Sequence, residues 1–242
     1  ILNSSLFLKM GAAPLHFWLP EVSEGLSWVN CLIMFTWQKI APMVIVTYTI
    51  NHSIFTIFVV ISCMLISSLM VMSQTSMRKI LAYSSINHVG WMISSFLVNM
   101  SLWIIYMLVY FIINLLTIYI LNTMNIFSIN QMIMKMNNTK LLKFTYSINF
   151  LSLGGIPPTI GFLPKWIIIN SLINKNLMML SFLMIIFTLV MLYVYLKLLF
   201  TSLILMNMEF KLINYTKNLS MTIFTLMSLF GMIFCTLMFS LN

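Results

Sequence analysis

Residues 28–50, WVNCLIMFTWQKIAPMVIVTYTI, decide the fold class of this chain. They form a mainly apolar run of 23 residues with one formal charge, Lys39. A helix needs about 20 apolar residues to cross the hydrocarbon core of a bilayer, so the run reads as a membrane span. Working outward, the same measure predicts spans at 54–72, 80–98, 102–124, 142–173, 177–206 and 220–240. The run 142–173 is interrupted by Gly and Pro. Residues 1–12 read as a helical stub and 13–27 as an irregular segment, with Phe17, Trp18 and Trp28 as interfacial anchors. The expected fold is an all-α polytopic membrane protein forming one membrane domain over 1–242. It has about seven transmembrane helices plus the N-terminal stub, with one or two helices broken in the membrane.

Composition demands the same solvent. Of 242 residues, 62% are hydrophobic and 6% are charged, against about 25% charged in a soluble domain. Cys31, Cys63 and Cys235 lie in apolar runs without metal or disulfide spacing and read as small core residues. No phosphate loop, HExxH or glycosidase-type carboxylate pair is present, Asp is absent, and no metal site is expected. The net charge of +9 does not mark a nucleic-acid binder, because the lysines are spread between and within spans with no aromatic-interleaved basic patch. The chain opens with Ile1 inside an apolar stretch, which reads as a fragment lacking its N-terminal part. Its 24 Met, one Arg and four Ala fit an A+T-rich mitochondrial gene that reads ATA as Met.

Loop charges set the topology. Segments 73–79, 125–141 and 207–219 fall on one side and carry Arg78, Lys79, Lys135, Lys140, Lys211 and Lys217, with Lys143 close by. The opposite segments, 51–53, 99–101 and 174–176, carry Lys175 alone. This asymmetry places the first set on the matrix side. It holds if 142–173 crosses once as a discontinuous helix rather than turning back as a hairpin.

Four lysines remain: Lys9, Lys39, Lys165 and Lys197. Lys39 lies at the middle of its span, about 16 Å from either end at 1.5 Å per residue, beyond the reach of a snorkelling side chain. A lysine at that depth costs about 2.5–3.5 kcal/mol. Helix breakers accompany three of the four: Pro14 follows Lys9, Pro42 follows Lys39, and Pro164 precedes Lys165. The last is preceded by Gly154, Gly155, Pro157 and Pro158. Irregular backbone at membrane depth is tolerated where protein or water satisfies it, and transporters place such breaks at ion sites. Low dielectric disfavours the charged amine, so buried lysines bridged by water and hydroxyls can form a proton wire. His88, with Ser84 at i−4 and Ser85 at i−3 on the same helix face, is either a relay member or a packing residue. Lys197 is either a snorkelling anchor or a path exit. Asn114 reads as interhelical glue.

LKMGAAPLHFWLPEVSEG (8–25), TWQKIAP (36–42), QTSMRKILAYSSINHVGWM (74–92) and NFLSLGGIPPTIGFLPKW (149–166) resemble, in order, the motifs of the subunit 2 family of mitochondrial NADH–ubiquinone oxidoreductase. These are antiporter-like membrane subunits of respiratory complex I. The resemblance implies a membrane-arm subunit of the mitochondrial inner membrane, translocating protons through a row occupied here by Lys9, Lys39 and Lys165. It implies other membrane-arm subunits as partners, and NADH, FMN, iron–sulfur clusters and ubiquinone on other subunits, with no cofactor on this chain. The family also has an essential Glu in an upstream helix that this sequence does not contain, so a carboxylate from outside the chain is expected to face Lys9. A stand-alone cation/proton antiporter and a structural membrane spacer are the competing readings.

Overall fold

The computed structural model describes residues 1–49, 54–136, 140–157 and 159–204. The expected span 220–240, the loop 207–219 and Pro158 lie outside the described residues. Among them run eleven helices: α1 Leu2–Met10, α2 Trp18–Gly25, α3 Trp28–Phe35, α4 Trp37–Thr49, α5 Ile54–Val71, α6 Met77–Phe96, α7 Met100–Thr123, α8 Ile129–Met136, α9 Lys140–Gly154, α10 Phe162–Asn174 and α11 Met178–Ile204.

Three of these are simple apolar spans. α5, α7 and α11 turn large side chains such as Leu69, Leu108 and Leu189 outward, as helices do when their solvent is lipid. α6 is different. Every side chain except those of Arg78 and Lys79 is buried, although the helix carries Ser84, Ser85, Asn87, His88, Ser94 and Ser95. A buried polar group needs an internal partner. The four serines donate to carbonyls three residues back, and Asn87 Nδ2 donates to Ser67 Oγ of α5 at 3.2 Å. α6 is thereby able to stand at the centre of the bundle, packed by α2, α5, α7 and α10.

Contacts at the helix ends fix the two sides. On the basic side, Ser76 and Ser128 form an antiparallel bridge, and Met77 N donates to Phe127 O at 2.9 Å. Arg78 donates to Leu26 O at 2.6 Å, and Lys79 pairs with Glu24 at 2.7 Å. On the other side, Lys175 donates to Leu97 O and Val98 O at 3.3 and 2.9 Å. These contacts bring together 73–79 with 125–128, and 99–101 with 174–176, as the loop charges required. α9 starts beside α8 on the basic side, and α10 ends against the C-terminus of α6 on the other. The pair therefore crosses once, as a single discontinuous span.

Two expectations need correction. Residues 13–27 are not merely irregular, since α2 occupies Trp18–Gly25. Moreover, Asn3 meets Thr49 at the far end of α4, Ala13 meets Ser62 and Cys63 midway along α5, and Glu24 pairs with Lys79 on the basic side. Residues 2–26 thus form a further broken span, the first in chain order, with α9–α10 the second. Two short helices with Pro and Glu between them fall below any hydropathy threshold for crossing, and partners on α5 and α6 supply what the local sequence lacks. Trp28 is also no interfacial anchor. It is buried and stacked on Phe127, with ring centroids 6.0 Å apart.

Candidate functional site

The second broken span builds one half of the site. α9 stops at Gly154 because Gly155 takes φ +79°, a left-handed conformation that residues with a Cβ adopt at a cost. A helix that stops at membrane depth leaves carbonyls without intrahelical donors. Lys165 supplies them, its Nζ donating to Leu153 O at 3.1 Å and to Gly154 O at 2.9 Å. The fit is close: a Cβ at Gly155 would stand 2.9 Å from Lys165 Cδ and 3.0 Å from Nζ, and one at Gly161 would collide with Ser152 O. Pro157 lies in the connecting turn. Pro164 was expected as a break and is instead a helix starter. It is the third residue of α10, where its absent N–H would have had no helical partner anyway.

Lys39 forms the other half. It is 1% exposed and donates to Ser85 O of α6 at 3.1 Å, with the Tyr110 ring centroid 5.7 Å away. Pro42 was also expected as a break, yet it sits inside α4. Its φ suits a helix although its nitrogen cannot donate, so the helix continues past it. The interruption is at Thr36 (φ −116°, ψ −70°), between α3 and α4. There the hydroxyl donates back to Leu32 O at 2.6 Å, an arrangement that bends helices.

Between the lysines stand side chains of α6 and α7. Ser85 receives Lys39, His88 follows one turn later, and Trp91 lies 5.9 Å from Lys165 Nζ. Six residues of helix separate the two lysine contacts, about 9 Å along the axis. His88 Nδ1 and Tyr106 Oη are 2.8 Å apart, and the Tyr110 ring lies 4.7 Å from that of His88. Tyr106 stacks on Trp91 at 6.5 Å and 12°. A cavity lined by His88, Tyr106, Val109, Tyr110, Ile113, Gly161 and Pro164 offers about 10 Å³ of water-accessible space, close to what one water needs. Lys39, His88 and Lys165 therefore share one buried neighbourhood that joins α4, α6, α7 and the second break. It holds two amines and an imidazole, groups that bind and release protons, among hydroxyls that can bridge them.

The remaining candidates lie elsewhere. Ser84 turns its hydroxyl to Leu81 O at 2.7 Å and faces Tyr195 of α11. Lys197 is on the exposed face of α11, away from the cluster. Lys9 is exposed on α1, and among the described residues no carboxylate pairs with it; Glu24 is taken by Lys79. Pro14 lies in the first break, between α1 and α2. Gly11 takes φ +71° there, and Trp18 Nε1 donates to Leu8 O at 2.9 Å. Both polar atoms of the Ala13 peptide are held by α5, with N donating to Cys63 Sγ at 3.1 Å and O accepting from Ser62 Oγ at 2.9 Å. Asn114, expected as glue, is buried with Nδ2 unpaired among the described residues. The sequence reading missed Ser62, Trp91, Tyr106 and Tyr110, and it read Trp18 only as an interfacial anchor and Cys63 only as a core residue. The i, i+4 spacing of Tyr106 and Tyr110 on one helix face was the signal available for the two tyrosines.

Residues 1–192 match the family model described as NADH:quinone oxidoreductase/Mrp antiporter, transmembrane. The chain belongs to this family. Within the NADH:quinone oxidoreductase/Mrp antiporter family it is similar to NADH-ubiquinone oxidoreductase chain 2 of Locusta migratoria. That relative is 42% identical over 209 residues, 86% of this chain and 61% of the relative. The chain 2 protein of Aedes aegypti is 40% identical over 211 residues, 87% of this chain and 59% of that one. The expected resemblance to subunit 2 is thus borne out. The chain spans about 60% of the length of these curated relatives. In fold it is similar to a chain of respiratory complex I from Thermus thermophilus, solved with bound Aureothin. The TM-score is 0.79 at 22% identity, over 94% of this chain and 54% of that chain. The family and the apolar helices make this a multi-pass membrane protein.

Proposed function

We propose that this chain is part of a proton-translocating membrane-arm subunit of respiratory complex I, in the mitochondrial inner membrane. In this reading Lys39, His88 and Lys165 carry protons through the membrane centre. NADH, FMN, iron–sulfur clusters and ubiquinone act on other subunits, and other membrane-arm subunits surround this one. The observation that carries it is the burial of Lys39 and Lys165 on either side of His88. Buried amines at this depth are costly, and a role in proton transfer accounts for their presence. Lys9, exposed in this chain, is read as the amine that meets a carboxylate from outside it.

Lys39→Met tests the proposal. Removing a buried amine leaves the fold intact but removes a proton carrier. The assembled complex in liposomes should therefore translocate protons at least about 10²-fold more slowly during NADH oxidation, as read by a pH-gradient dye. Normal translocation in the assembled variant would sink the reading. A stand-alone cation/proton antiporter remains the second reading because the family includes Mrp antiporters. It predicts exchange activity in liposomes without partner subunits.

A further inference from the structure

We propose that Tyr106 is the positioning residue of His88, holding Nδ1 in every protonation state so that the ring exchanges protons through Nε2 alone. The inference rests on the relay reading above and deepens it. His88 and Tyr106 are both buried, and their 2.8 Å contact is a full-strength hydrogen bond. The tyrosine is itself immobilised, stacked on Trp91 at 12°, while Tyr110 closes against the His88 ring at 4.7 Å. Among the described residues Nε2 has no hydrogen-bond partner, and His88 borders the small cavity that reaches Gly161 and Pro164 at the second break.

A hydroxyl both donates and accepts. Tyr106 donates to Nδ1 in one neutral tautomer of His88. It accepts from Nδ1–H in the other tautomer and in the imidazolium. Nδ1 therefore stays satisfied whatever the ring carries, and the exchange falls to Nε2. The step itself starts from the Nδ1–H tautomer, whose Nε2 holds the free lone pair, and an N–H bond of the donor ammonium breaks as the Nε2–H bond forms. On release, that bond breaks as the proton passes to a neutral amine or an intervening water. Tyr106 keeps its own proton throughout. A phenylalanine would preserve the stack on Trp91 and remove the hydroxyl alone, which separates positioning from packing.

The experiment compares wild type, Tyr106→Phe, His88→Gln and the double variant in the assembled complex, reconstituted in liposomes. Proton translocation and its pH profile are measured in each. We expect Tyr106→Phe to assemble, to pump about fivefold more slowly and to change the pH profile. The same substitution should have no further effect in the His88→Gln background. Unchanged pumping in Tyr106→Phe overturns the assignment, as does an equal fold-loss in both backgrounds. A Phe variant that fails to assemble would make the hydroxyl a fold determinant and overturn it too. Normal pumping in His88→Gln beside a defective Lys39→Met would remove His88 and Tyr106 from the path and leave the proposed function standing. If Lys39→Met also pumps normally, both fall.

Discussion

Lys39 and Lys165 are both buried lysines beside interrupted helices, yet their ammonium groups meet different backbone. Lys39 donates to Ser85 O, a carbonyl in the middle of the continuous helix α6, which keeps its helical donor without the lysine. Lys165 donates to the last two carbonyls of α9, where the helix has ended. Lys135 and Lys175 do the same at the membrane surfaces, the first for Met124 O and Asn125 O beyond α7 and the second for Leu97 O and Val98 O beyond α6. Lys165 is thus a helix-terminus donor placed at membrane depth. Substituting Met should destabilise the protein by about 2 kcal/mol or more, since each orphaned buried carbonyl costs about 1–3 kcal/mol. Lys39→Met should lie close to wild type. Pulse proteolysis of both variants in detergent checks the contrast, and equal stability would show that the carbonyls find other donors.

At the scale of elements, the two broken spans are stopped in the same way and completed differently. Both end their first helix at a glycine with positive φ, Gly11 and Gly155. The first break is then satisfied by neutral groups, Trp18, Ser62 and Cys63. The second depends on an amine. Gly155→Ala should therefore act twice, through left-handed strain of about 1–2 kcal/mol and through displacement of the Lys165 side chain. Gly154→Ala, whose Cβ would meet Leu192 at an ordinary 3.5 Å, should stay within about 0.5 kcal/mol of wild type. Thermal unfolding of the two variants, with proton translocation measured alongside, separates them. Equal behaviour would remove Gly155 from the account.

For the whole molecule, the pairing of loops fixes which ends lie together. Single cysteines at Ser73 and Asn125 should react with a membrane-impermeant thiol reagent from one side, and a cysteine at Asn176 from the other. In the mitochondrial inner membrane proposed above, the excess of basic residues would put the first side in the matrix. Labelling of Ser73→Cys from the intermembrane side in intact mitochondria would overturn the orientation.

Membrane class, the positions of the long apolar spans among the described residues and the burial of Lys39 and Lys165 were legible in the sequence. Each rests on local quantities: apolar run length, the depth of a charge within a run, and glycines and prolines nearby. The interruption near Gly154 and Gly155 was legible for the same reason, while the left-handed conformation of Gly155 was not. What only the tertiary structure decided depends on neighbours far along the chain. Pro42 continues a helix and Pro164 starts one, because a proline's effect is set by where the ladder around it begins. Residues 2–26 cross the membrane because α5 and α6 satisfy polar groups that local hydropathy counts against them. His88 joins the lysines because α7 brings Tyr106 and Tyr110 against it, whereas Lys197, in an equally apolar run, turns away. Hydropathy measures what a segment avoids; which partner meets a buried polar group is settled by packing between helices.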